Sequence, residues 1–99
     1  MPQVIIEQPG VTPMTVPLSG EQIRFGRAED NDVVLVADEV SRHHAVLYRR
    51  AGKMVLQDKN SLNGTYVNRK RIERHQLFDG DEMQIGKFKL AFMQRKAGE

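Results

Sequence analysis

The sequence predicts an all-β domain, and three observations carry that expectation. Apolar and polar residues alternate over short runs, as in Ile23-Arg24-Phe25 and Phe88-Lys89-Leu90. Turn-forming pairs recur about every ten residues. No window repeats apolar residues at i, i+3, i+4 and i+7 over a helical length. Many short strands divided by turns build a sandwich or a barrel.

The elements follow in order. Val4-Ile5-Ile6 starts a strand that Pro9-Gly10 ends. Met14 to Leu18 alternates weakly before Ser19-Gly20. Ile23 to Arg27 alternates cleanly, and Val33 to Val36 reads as a short buried strand. Ala45–Arg50 and Lys53–Gln57 flank Ala51-Gly52, a two-residue hairpin connection. Thr65-Tyr66-Val67 and Arg71-Ile72 enclose the turn Asn68-Arg69-Lys70. Asp79-Gly80-Asp81 is a turn, and Glu82–Ile85 and Phe88–Phe92 follow around Gly86-Lys87. Residues 1–94 are expected to form the domain. Residues 95–99 read as a polar tail or a linker.

Composition narrows the function. The 99 residues contain no cysteine, which excludes disulfide staples, thiolate metal sites and cysteine nucleophiles. The net charge of +2 does not make a polyanion the default partner. The longest apolar run, Val33 to Ala37, is far short of the roughly 20 residues of a membrane helix, and no signal peptide is visible at the start. A soluble, cytoplasmic domain that is monomeric in isolation is therefore expected. Charge is uneven. Residues 51–75 hold six Lys and Arg against Asp58 and Glu73. Its run Arg69-Lys70-Arg71 reads as a solvated turn or charged edge strand, or as a local anion-attracting field.

Four loop segments are richer than turns require. Gly26-Arg27 at a strand end allows close backbone approach while a guanidinium forks over a ligand. Ser41-Arg42-His43-His44 offers a hydroxyl, a guanidinium and two imidazoles. Asn60 to Thr65 contains Asn63-Gly64, which by itself makes a tight turn. Asp79-Gly80-Asp81 and Ile85-Gly86 complete the set.

Together these segments resemble the forkhead-associated (FHA) domain, a phosphothreonine-peptide-binding module. The matching residues are Gly26-Arg27, Ser41 with His44, Asn63-Gly64-Thr65 with Val67-Asn68, Gly80-Asp81 and Ile85-Gly86, in register from about Ile23 to Phe92. The resemblance implies a β-sandwich of two stacked, mainly antiparallel sheets with ligand loops at one end. It implies that Arg27 forks onto phosphate, Ser41 donates its hydroxyl, Arg42 adds an amide or a charge, and Asn63 holds the peptide backbone. Gly26, His44, Gly64 and Asn68 would be structural, fixing the loops that present these groups. The module implies no catalytic residue, metal or cofactor. Its partner would be a phosphothreonine-containing protein, and it would serve signalling.

Leu62 departs from the pattern, because many binding members carry Ser or Thr just before the Asn-Gly pair. A lost hydrogen bond to a charged group is worth roughly 1.5–3 kcal/mol. Ser61, one position off, is expected to point the other way if the segment is extended. Leu62 therefore leaves a second reading, an FHA-like domain that self-assembles or docks a partner without phosphate. Two further rivals are weaker. His43, His44 and Asp58 suggest a metal site or hydrolase, but adjacent histidines face opposite ways, and Asp58 is better read as capping the turn before Asn60. Arg69-Lys70-Arg71, Arg74 and Tyr66 suggest nucleic acid, but 6% aromatic content is thin for a stacking platform, so neither nucleic acid nor membrane is expected as a partner.

Overall fold

The computed structural model describes residues 2–94, so the expected tail 95–99 lies outside the described residues. Eleven strands run in order: β1 Pro2–Gln8, β2 Val11–Pro17, β3 Gln22–Gly26, β4 Val33–Val34, β5 Ala45–Arg50, β6 Lys53–Asp58, β7 Thr65–Val67, β8 Lys70–Ile72, β9 Arg74–Gln76, β10 Glu82–Ile85 and β11 Phe88–Gln94. They form a six-stranded sheet, β2-β1-β11-β10-β7-β8, and a five-stranded sheet, β4-β3-β5-β6-β9. Every pairing is antiparallel except β3 with β4. The expected two-sheet β-sandwich is what the chain adopts.

Strand alternation explains the stacking. Val4 and Ile6 of β1, Met83 and Ile85 of β10, and Phe88, Leu90 and Phe92 of β11 all turn inward and are buried. They meet Phe25, Leu47 and Leu56 of the opposite sheet in one continuous core. Each such side chain, fully buried, contributes roughly 1.5–3 kcal/mol. Two core residues belong to a loop: Leu35 and Val40 are almost fully buried and peg the segment 35–44 onto the sandwich.

Register places the loops. Phe25 pairs with Ala45, Ala45 with Asp58, and Thr65 with Ile85. The end of β3, the start of β5, the β6–β7 loop and the β10–β11 turn therefore lie at one end of the sandwich. The four segments singled out above converge there, apart from Asp79-Gly80-Asp81.

Two elements differ from expectation. The apolar run Val33 to Val36 keeps only two residues in a strand. Leu35 turns into the core while its amide still donates to the Gly26 carbonyl, and Val36 is exposed. Strand β9 was not foreseen, because Arg74-His75-Gln76 has no apolar residue to alternate. It pairs with β6, setting half-buried His75 opposite Leu56.

The β5–β6 connection has Ala51 at φ 51° and Gly52 at φ 77°. Both central residues of such a hairpin turn require positive φ. An alanine held there costs about 1 kcal/mol. Ala51→Asn is therefore expected to raise stability by about 0.5–1 kcal/mol, seen as a higher urea midpoint at unchanged slope.

Candidate functional site

Gly26 ends β3 directly beneath the segment 41–44. A side chain there would collide with the Arg42 carbonyl oxygen and approach Asn31 Nδ2 to 2.7 Å. The close approach is stitched by backbone hydrogen bonds. Arg27 donates its amide to the Ser41 carbonyl at 3.0 Å, and Ala28 donates to Arg42 at 3.1 Å. Buried Asn31 locks the same crossing, its Nδ2 donating to the carbonyls of Ala28 and Arg42, each at 2.8 Å.

Arg27 emerges from this crossing exposed. Its Nε donates to the Val40 carbonyl at 3.1 Å, and neither Nη group has a partner among the described residues. Among the described residues it forms no ion pair. The Ser41 hydroxyl oxygen accepts the Leu62 amide at 3.1 Å, so its proton remains available for donation. The Arg42 amide finds no acceptor among the described residues, and its side chain is exposed. Asn63 is also exposed. Its Nδ2 donates to the Glu39 carbonyl at 2.8 Å, which ties loop 59–64 to loop 35–44 and leaves Oδ1 free.

His44 is fully buried beneath these groups. Its Nδ1 accepts the Ser41 amide at 3.0 Å, which places the ring proton on Nε2 for donation to the Gly64 carbonyl at 2.9 Å. One imidazole thus fastens the serine loop to the asparagine loop. Its neighbour His43 faces solvent, bonded to Asp30 at 3.0 Å, so the two rings point opposite ways. Among the described residues no three His, Cys, Asp or Glu gather as a metal would need.

The loop 59–64 is braced from within. Asp58 accepts the Ser61 amide at 3.0 Å, the Ser61 hydroxyl, and Thr65 Oγ1 at 2.7 Å. Ser61 Oγ in turn accepts the Gly64 amide at 3.0 Å. Ser61 therefore does point away from Leu62: it is buried, whereas Leu62 is 85% exposed at the loop tip. Gly64 sits at φ +90°, and the Arg71 guanidinium lies over it.

Asn68, expected to help fix the loops of the site, has its hydrogen bonds elsewhere. It bonds Asp81 at 3.0 Å and the Glu82 amide at 3.0 Å, at the far end of β7 from Gly64. It fastens the β7–β8 turn to Asp79-Gly80-Asp81 and does not touch the loops of the site. The supports missed from sequence are Asn31, Val40 and Glu39. Asn31 alone left a signal, since an asparagine among acidic residues after Ala28 marks a turn.

Three carboxylates near the site, Asp30, Asp32 and Asp58, are engaged. The hydrogen bond from His43 holds Asp30 below the ordinary carboxylate value, and Arg24 does the same for Asp32, whose partner guanidinium is raised in return. For Asp58, burial pushes the carboxyl up. The hydrogen bonds from Ser61 and Thr65 outweigh it and leave a net lowering. A carboxylate depressed by folding adds stability that is complete above its unfolded value near 4 and vanishes as pH falls through the lower folded value. Urea titrations are expected to show stability falling below about pH 4. Asp58→Asn is expected to be less stable at neutral pH and to fall less steeply in acid. An unchanged acid limb would remove Asp58 from this role.

Comparisons with known proteins agree with this geometry. The family model for the FHA domain matches residues 23–86. The glycogen accumulation regulator GarA of Mycolicibacterium smegmatis is 47% identical over 68 residues, covering 69% of this chain and 43% of the regulator. The chain thus spans less than half the length of that relative. A solved domain from work on phosphothreonine-dependent FHA domain interactions superposes with a TM-score of 0.84 at 28% identity, covering 95% of this chain and 98% of that one. EmbR of Mycobacterium tuberculosis, solved with a low-affinity phosphopeptide, gives 0.85 at 32% identity, covering 98% of this chain and 26% of EmbR. With its sandwich, its converging loops and a family match over most of its length, this chain belongs to the FHA domain family.

Proposed function

We propose that this domain recognises phosphothreonine in a protein partner and so makes a protein–protein contact depend on phosphorylation. The observation that carries the reading is the convergence of Arg27, Ser41, Arg42 and Asn63, each with a free polar group on a braced frame. A phosphothreonine ester carries about −1.5 to −2 charges and three strong acceptor oxygens. Arg27 meets it with two unengaged Nη groups, Ser41 with its hydroxyl, and Arg42 with an unengaged amide and a positive charge. Asn63 Oδ1 accepts a backbone amide of the peptide and holds its register. Because the loops are fixed before binding, little ordering entropy opposes association. The domain acts by binding and performs no chemistry of its own.

Leu62 favours a second reading, a docking contact that needs no phosphate, since its exposed side chain replaces a donor with an apolar group. Calorimetry with matched phosphorylated and unphosphorylated threonine peptides separates the two. The phosphorylated peptide is expected to bind with micromolar affinity, about −8 kcal/mol, and the unphosphorylated one not measurably. Equal affinities would overturn the phosphate reading.

A further inference from the structure

The lysines and arginines of the basic segment 51–75 are not used by the phosphate cradle. Strands β8 and β9 are consecutive, yet each edges a different sheet, so the chain crosses between sheets at Glu73. At that crossing lies a solvent-open cleft of about 830 Å³, bounded by Asp58, Asn60, Arg71, Ile72, Glu73 and Arg74. It adjoins the same loop that carries Asn63.

The cleft has a definite charge character. Arg71 pairs with Tyr66 on one sheet and Arg74 with Gln57 on the other, and both arginines line the cleft between these two edges. Neither arginine forms an ion pair or a side-chain hydrogen bond among the described residues. Of the two acids present, Asp58 is turned inward and held by three hydrogen bonds. Glu73 remains as the one free carboxylate against two free guanidiniums. Arg71 also reaches the binding loop itself, because its guanidinium lies over Gly64, the residue after Asn63.

We propose that Arg71 and Arg74 form an anion subsite that binds an acidic side chain of the same phosphothreonine peptide, held beyond Asn63. The shared chemistry is an oxyanion able to accept guanidinium N–H groups, from an aspartate or glutamate or from a second phosphorylated residue. Glu73 opposes it and sets its selectivity, since a neutral side chain meets no repulsion there. The inference rests on the phosphothreonine reading above.

The test starts from a neutral-flanked phosphothreonine peptide chosen from a degenerate library by its binding to the wild-type domain. Aspartate is then walked through each flanking position, and affinities are measured by calorimetry at low salt. One position is expected to tighten binding roughly tenfold, and a second phosphate at that position more strongly. Arg71→Gln/Arg74→Gln is expected to abolish that gain while the neutral peptide still binds, and Glu73→Gln to enlarge it. Thermal melts of each variant confirm folding. A gain that survives the double variant, or that is equal at every position, overturns the subsite and leaves the phosphate cradle standing. If no phosphothreonine peptide binds the wild type, the cradle reading itself fails and the subsite with it.

Discussion

Arg27→Ala is expected to weaken phosphothreonine-peptide binding at least about 100-fold, the loss of two charge-assisted hydrogen bonds at roughly 1.5–3 kcal/mol each. The side chain is exposed, and among the described residues its one hydrogen bond is Nε to the Val40 carbonyl. The same substitution is therefore expected to lower stability by less than about 1 kcal/mol. These two results belong together, because an affinity loss with an intact urea transition separates contact with phosphate from collapse of the loops. Arg27→Lys refines the test. Lysine keeps the charge but lacks the planar fork that gives phosphate two parallel bonds, so an intermediate loss of about tenfold is expected. Unchanged affinity in the alanine variant would show that the guanidinium does not meet the ester.

Most of the frame was legible from alternation alone. Strands β1, β3, β5, β6, β10 and β11 each place apolar residues on one face, and burial follows that face. Where legibility failed, the reason is physical. The run Val33 to Val36 is apolar throughout, but an apolar run does not say which backbone groups have partners. The chain leaves the sheet after Val34. In β9 the only inward group is His75, so no hydrophobic period marked it. The site divides in the same way. Arg27, Ser41, Arg42 and Asn63 are reached through the resemblance of their loops to the FHA pattern, since Asn63-Gly64 by itself reads only as a tight turn. Their supports are carbonyls and buried polar groups many residues away, such as Val40 for Arg27 and Glu39 for Asn63. Any residue can offer a carbonyl, so sequence carries no trace of that choice.

His44→Phe is expected to destabilise the domain by about 3 kcal/mol or more, because two buried backbone groups lose their partners at 1–3 kcal/mol each and the larger ring must be fitted into a filled site. Among the described residues the Ser41 amide and the Gly64 carbonyl have no other partner. Two milder variants separate the two bonds by where each amide places its atoms. Asparagine sets an oxygen near the place of Nδ1 and can still accept from Ser41, but falls short of Gly64. Glutamine sets its nitrogen near the place of Nε2 and can still donate to Gly64, but offers Ser41 nothing. Because Ser41 and Asn63 sit on separate loops, loss of either bond frees one loop to move against the other. Both variants are thus expected to weaken phosphopeptide binding by more than their stability loss alone would, as the loops must then be ordered on association. Calorimetry well below the melting temperature, where every variant is folded, reads that effect directly. If Asn and Gln bound the peptide as tightly as His44 does, the imidazole would be a core filler and not the clasp between the two loops.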